Sequence, residues 1–361
     1  MKKKTNIEVG WLYAYVHFIT EIVCFYVLGR KLGDSAFLWL FPFIYDELAF
    51  APQSIIGYIS DKFPKINMGV IGTFLLAAGV LFCNVDVLPG DFTALVILCI
   101  GNACMHIGGA EVALRCSGGR LSHGAIFVGG GSFGVIAGKL LSKTPIPFYA
   151  VILLAFTMIP FVLLAETYRK KADAESVCPC AGFDYHSKNI SPVLVIILTV
   201  FVVMVRGYMG YGIPTSWNKT VIQNVIFYVT MGIGKMAGGI VGDKIGVKKT
   251  AMISVIGALP FLIFGDKIMM VSIIGVMIFS MTMSITLALL VSVLNNSPGL
   301  AFGLTTIGLF LGTVPIFFFK FTTVQANCVL ITVLSAVCVA VFQIIIRKEE
   351  NKHGQLQNTC Q

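Results

Sequence analysis

Charge is what this sequence is short of. Only 12% of its 361 residues are Asp, Glu, Lys or Arg, against 57% hydrophobic residues and a mean hydropathy of +0.89; soluble domains carry about 25% charged residues. That scarcity excludes a sizeable soluble domain. Catalytic signatures are missing as well. There is no H-E-x-x-H and no pair of aspartates on facing apolar runs, so zinc hydrolysis and intramembrane aspartyl chemistry are not expected. The ten cysteines lie mostly singly inside apolar runs, where they act as small apolar side chains. Cys178 and Cys180, with His186 nearby, fit no four-ligand zinc spacing. The chain is therefore expected not to be an enzyme and to use no cofactor and no metal. No A-x-A site follows the first apolar run, which carries His17 and Glu21; the MKKK start reads as the approach to an uncleaved helix.

What the sequence has is apolar runs. Crossing a hydrocarbon layer of about 30 Å takes about 20 helical residues, and twelve runs qualify: 10–29, 36–58, 66–84, 93–114, 123–142, 146–165, 190–209, 221–241, 249–265, 270–292, 300–319 and 325–346. A polar stretch from Glu166 to Asn189 divides them six and six. The expected architecture is an all-α membrane protein of twelve transmembrane helices in two six-helix halves. Residues 1–166 form the first half, 167–189 a cytoplasmic linker, 190–347 the second half and 348–361 a tail. With both termini inside, 17 of the Lys and Arg residues fall on the inner side and eight on the outer. Basic residues accumulate on the cytoplasmic side, so both termini are expected there, in a multi-pass protein of the cell membrane. The net charge of +9 then belongs to topology, and no nucleic-acid partner is implied. The expected surroundings are the lipid bilayer, with the chain as a monomer.

One short signature occurs twice. GYISDKFPK begins at Gly57 and GIVGDKIGVKK at Gly239, and their aspartates, Asp61 and Asp243, stand 182 positions apart in a chain of 361. A signature recurring at half-length marks an internal repeat. Lys62 and Lys244 can each offset the negative end of the preceding helix. Each aspartate can accept bonds from N–H groups at a facing helix start, or pair with a base across the halves, and so latch the inner face. Gly130, Gly134 and Gly138 recur every four residues, a stripe along one helix that lets a neighbour's backbone come close. A looser series runs through Gly299, Gly303, Gly308 and Gly312.

The second signature resembles the loop motif of the major facilitator superfamily, G-x-x-x-D-[RK]-x-G-x-[RK]-[RK], in full, through Gly239, Asp243, Lys244, Gly246, Lys248 and Lys249. The first copy has Gly57, Asp61 and Lys62, but Pro64 in place of the second glycine and Asn67 at the last basic position. More narrowly, VHFITE, QSIIGYISDKFP and SGGRLSHGAIFVGGGSFGVIAGKLL resemble the fosmidomycin-resistance branch of drug exporters. There the family's Gln-Pro is Gln53-Ser54 here, and its His-Pro is His106-Ile107. The resemblance implies secondary active transport by alternating access, with export of a small molecule against proton entry. The compound expected is amphipathic or anionic. Import of a nutrient by the same fold and a non-transporting membrane sensor stay as alternatives.

Ionisable groups at bilayer depth are costly and are functional by default. His17 and Glu21 are four apart on the first span, about 40° apart around the helix. Asp46 and Glu47 are neighbours on the second and point about 100° apart, so one of them is expected to face a shared cavity. Asn102 and His106 are again four apart, on the fourth. Glu21, Asp46, Glu47 and His17 are the proton-coupling candidates; for Glu21, substrate contact and a structural hydrogen bond stay open. The cavity candidates are Asn102, His106, Lys235, Gln53 and Arg206. Gln53 lies eight residues before Asp61 and Lys235 eight before Asp243. Lys235 can bind an anion, pair with Glu21 or Asp46, or snorkel toward the cytoplasm. Glu111 and Arg115 read as an ion pair within one helix.

Overall fold

A computed structural model describes residues 7–30, 41–83, 90–175, 181–318 and 323–347. Cys178, Cys180, Lys2 to Lys4 and the 348–361 tail lie outside the described residues. A lipid interior offers backbone groups no water, so a spanning chain must bond to itself, and helices do this within one segment. The regular structure described is accordingly helical, with one isolated bridge between His186 and Ile346.

The first half comprises α1 (Ile7–Arg30), α2 (Phe41–Phe50), α3 (Gln53–Lys62), α4 (Met68–Phe82), α5 (Gly90–Arg115), α6 (Leu121–Leu141) and α7 (Phe148–Glu175). The second comprises α8 (Pro192–Gly212), α9 (Val221–Ile245), α10 (Val247–Met252), a π-helical turn (Ile253–Gly257), α11 (Leu259–Phe264), α12 (Met269–Ser280), α13 (Thr282–Val293), α14 (Pro298–Phe318) and α15 (Val324–Ile345). Among the described residues, ten segments are long and apolar enough to span, two of them composites: α10 through α11, and α12 with α13. The shorter α4 and the α2–α3 pair bring the number to twelve. The second span, read as one helix over 36–58, is broken at Ala51-Pro52. Proline has no N–H to give to the Leu48 carbonyl four residues back, and at the same break the Gln53 side chain donates to the Ala49 carbonyl at 2.7 Å. In the ninth span the π-helical turn precedes Pro260, where a regular helix would lose its bond.

Close packing follows the glycines. A side chain on Gly130, Gly134 or Gly138 would strike the backbone carbonyl of Ala14, Phe18 or Ile22 respectively. Both series step by four, so α6 lies along α1 with backbone against backbone. On α14, Gly303 meets the backbone of Gln53 and Gly312 that of Met204, which presses α14 onto α3 and α8.

The sixth span was expected to end at 165, but α7 runs on to Glu175. The added turns contain no glycine or proline, and Glu166 pairs with Arg169 at 2.7 Å and Lys170 at 3.7 Å, spacings that support a helix. Farther along the polar stretch, residues 181–188 lie across both halves. Asn295 ties down this segment through its carbonyl, which accepts from Ala181 N at 3.0 Å, and its side-chain oxygen, which accepts from Phe183 N at 2.9 Å. Tyr185 donates to the Gly119 carbonyl at 2.7 Å. Ser187 N reaches the Ile345 carbonyl at 2.8 Å, and Arg347 N reaches that of Tyr185 at 2.9 Å. The segment thus bonds the α5–α6 turn, the α13–α14 turn and the end of α15.

Candidate functional site

Two sets of polar residues stand out, one at the face crossed by that segment and one between the helices. At the face, Asp61 at the end of α3 accepts from Gly299 N at 3.1 Å and Leu300 N at 2.7 Å. Asp243 near the end of α9 accepts from Leu121 N at 2.7 Å and Ser122 N at 3.1 Å. Each carboxylate therefore sits on the first turn of a helix in the opposite half, α14 in one case and α6 in the other. First-turn N–H groups have no partner within their own helix, and the helix dipole favours an anion there. The motif glycines make the approach possible: a side chain on Gly57 would strike the Gly299 carbonyl, and one on Gly239 would lie 2.8 Å from that of Leu121.

The two copies differ in surroundings. Arg115 bonds Asp61 at 3.1 Å as well as Glu111 at 2.9 Å, and Ser60 donates to Glu111, so the expected pair within α5 also knits α5 to α3. The Asp61 side chain is 5% exposed, whereas Asp243 is exposed. Gly246 has φ of +91°, a conformation open to glycine but not to the proline at position 64. Asn67, in place of a basic residue, caps α4 by accepting from Gly69 N at 2.8 Å and Val70 N at 3.3 Å. Lys62 lies 5.9 Å from the Tyr58 ring; Lys244 and Lys249 are exposed and Lys248 half-buried.

Between the helices, His17, Glu21, Asn102 and His106 come together, all buried. Glu21 Oε1 lies 3.6 Å from His17 Nε2, 3.3 Å from His106 Nε2 and 3.3 Å from Asn102 Nδ2. The other ring nitrogens face backbone carbonyls: His17 Nδ1 is 2.9 Å from Phe127 O, and His106 Nδ1 is 3.0 Å from Asn102 O. A carbonyl can only accept, so each Nδ1 carries the proton, and in a neutral ring each Nε2 then presents a lone pair to Glu21. Gly131 leaves the space that the His17 ring fills. Phe50, Phe127 and Phe302 stand around His106 with ring centroids 6.2–6.4 Å away. Phe302 belongs to α14, which places the cluster where the halves meet.

The other candidates are spread around it. Asp46 is half-buried and within electrostatic reach of Glu21 and Lys139, while Glu47 is exposed. Lys235 is half-buried and crosses to the first half, donating to Ser132 Oγ at 2.8 Å, within electrostatic reach of Glu21 and Arg206. It does not snorkel. Arg206 is buried, and its Nε and Nη2 have no hydrogen-bond partner among the described residues. Gln53 turns back onto Ala49 and packs against Gly303, so it does not join the cluster. Sequence reasoning passed over Tyr45, whose hydroxyl accepts from Asn102 Nδ2 at 2.7 Å, and Ser132. Tyr45 directly precedes Asp46, and only its polar tip, buried in an apolar run, marked it.

Two six-helix halves, joined on one face by reciprocal aspartate-to-helix contacts and enclosing a polar cluster, define the major facilitator fold. Solved structures agree over nearly the whole chain. The Escherichia coli fucose:proton symporter FucP matches with a TM-score of 0.63 at 14% identity, covering 94% of this chain and 99% of that one. A structure of FucP in the outward conformation matches at 0.62 and 12%, covering 92% and 97%. At these identities the likeness establishes the fold. In sequence, the chain is 27% identical to the fosmidomycin resistance protein of Escherichia coli over 241 residues, 58% of this chain and 57% of that protein. The match thus spans little more than half the length of that relative. No protein-family model matches the sequence.

Proposed function

We propose that this chain is a secondary active transporter of the cell membrane that exports a small amphipathic or anionic compound in exchange for protons. The observation that carries the proton reading is the convergence of two imidazole lone pairs on the Glu21 carboxylate. Three acceptors facing one another repel unless a proton lies among them, on the carboxyl or on a ring. Such a cluster favours holding one proton and gives it up when the surroundings open. Asp46, Glu47 and His17 are the further coupling candidates, and Asp46 is the carboxylate in electrostatic reach of Glu21.

The anionic substrate rests on Arg206 and Lys235. The first has buried N–H groups with no hydrogen-bond partner among the described residues and the second donates to a neutral hydroxyl, so both offer charge to a ligand between the halves. The paired latches supply the gate. With Asp61 and Asp243 engaged, the face bearing the linker is shut, and with both termini cytoplasmic the arrangement is outward-facing. Rocking the halves about a mid-membrane site releases the latches and gives alternating access. The working unit is a monomer in the bilayer.

Uptake into inverted membrane vesicles tests this. Accumulation of an anionic compound that the protein exports should collapse with the proton gradient. Uptake indifferent to that collapse would sink the coupling, uptake in the opposite sense would make the protein an importer, and absence of flux or ligand-dependent stabilisation would favour a sensor.

A further inference from the structure

We propose that His17, Glu21 and His106 form a binding site for a transition-metal dication of the zinc class. Their ligand atoms all lie within 4.8 Å of one another. Glu21 Oε1 is 3.3 Å from one imidazole nitrogen and 3.6 Å from the other. Two ligands bound tetrahedrally at about 2.0–2.1 Å from zinc stand roughly 3.3 Å apart, so the two separations from the Glu21 carboxylate are close to tetrahedral edges. The ring orientations favour the same conclusion. Each Nδ1 is fixed on a backbone carbonyl, the outer arrangement that holds metal-binding imidazoles with their lone pairs aimed at the ion.

A second observation is independent of the triad's spacing. Glu21 Oε2 and Asn102 Oδ1 are both buried and without a donor among the described residues. The neighbourhood is rich in lone pairs and poor in protons, which disfavours a plain hydrogen-bond network and favours a cation. His17 and Glu21 come from one turn of α1 and His106 from α5, leaving a fourth position for water or a carried ligand. Sequence spacing could not reveal the site, because the third ligand lies on another helix.

The inference deepens the proton reading of the same residues. Metal requires unprotonated ligands, so an ion in the cluster displaces the exchangeable proton and blocks proton-coupled flux. Lys139 and Lys235, within electrostatic reach of Glu21 from α6 and α9, oppose the ion, and Asp46 on α2 favours it.

The test uses the full-length purified protein in detergent, titrated with zinc chloride alone and followed by calorimetry, thermal melting and zinc-edge X-ray absorption. Both Cys178 and Cys180 are replaced by serine to remove a competing thiol site. One equivalent should bind through nitrogen and oxygen, raise the melting temperature and be reversed by chelator, and His17→Gln and His106→Gln should each weaken binding at least about tenfold. No zinc-dependent shift, sulfur ligation or affinity unchanged by these substitutions would overturn the site. Should either histidine variant aggregate, Glu21→Gln supplies the same comparison. Absence of zinc binding leaves proton coupling standing, and gradient-independent flux in the vesicle assay leaves the zinc result standing.

Discussion

Glu21 faces two imidazoles whose protons are committed to backbone carbonyls, so its own protonation decides whether the cluster is comfortable. Glutamine at this position has the same shape and carries an amide that can donate to His106 or His17 permanently. Glu21→Gln is therefore expected to fold, with stability within about 1 kcal/mol of the parent, the size of one hydrogen bond, and to lose gradient-driven transport in vesicles. Transport unchanged in that variant would remove Glu21 from the coupling path. Lys235 makes a different prediction. Its amine is held by Ser132, so Lys235→Met removes a charge without stranding an ionic partner. The expected result is a rise in KM for an anionic substrate of about tenfold, equivalent to about 1.4 kcal/mol of binding, with a neutral substrate unaffected.

Elements differ in how far they could be read in advance. The glycine stripe on α6 was plain from its four-residue step, but its partner was not, because a stripe says that a backbone approaches and not which one. Only the fold pairs Gly134 with the Phe18 carbonyl. Gly134→Ala is expected to cost about 1–3 kcal/mol through overpacking, seen as a lower melting temperature. Prolines illustrate the same limit: Pro52 marks a break, whereas Pro160 and Pro315 sit inside continuous helices, since neighbouring helices decide whether the lost bond is made good. The two spans that supply the cluster were legible from i,i+4 pairs of polar residues, and the repeat from Asp61 and Asp243. Arg115 reaching Asp61 was not, because an i,i+4 partner at Glu111 already accounted for its charge. The docking of residues 181–188 was hidden for a simpler reason: most of its bonds use a backbone group of the segment itself, which every sequence can offer. His186 in that segment supplies a pH test. Burial, reinforced by Lys188, lowers its pKa from the ordinary value of 6.5, so the docked state prefers the neutral ring. Docking is then fully supported above about 6.5 and weakens as the pH falls below it. Limited proteolysis of the 167–189 stretch should be faster at acidic pH, and His186→Gln, which cannot titrate, should abolish that difference.

For the whole molecule, the consequence lies in the inequality of the two latches. Both join a carboxylate in one half to a helix start in the other, so both must part if this face opens. The incomplete motif nevertheless makes the more sheltered contact: Asp61 is nearly buried and shares Arg115 with Glu111, while Asp243, in the complete motif, is exposed to competing water and salt. Hydrogen bonds to a sheltered charge are worth about 1.5–3 kcal/mol, and loss of that much shifts a two-state balance by roughly ten- to a hundredfold. Asp61→Asn should thus move the population toward the state open on this face much further than Asp243→Asn, and the double variant furthest. Hydrogen exchange reads each latch separately, through the amides of Gly299 and Leu300 for Asp61 and of Leu121 and Ser122 for Asp243. If Asp61→Asn exposes only its own pair of amides, the latches act singly; if the Leu121 and Ser122 amides lose protection with them, the halves move as rigid bodies. Protection of all four unchanged in the double variant would show that neither aspartate holds the face closed.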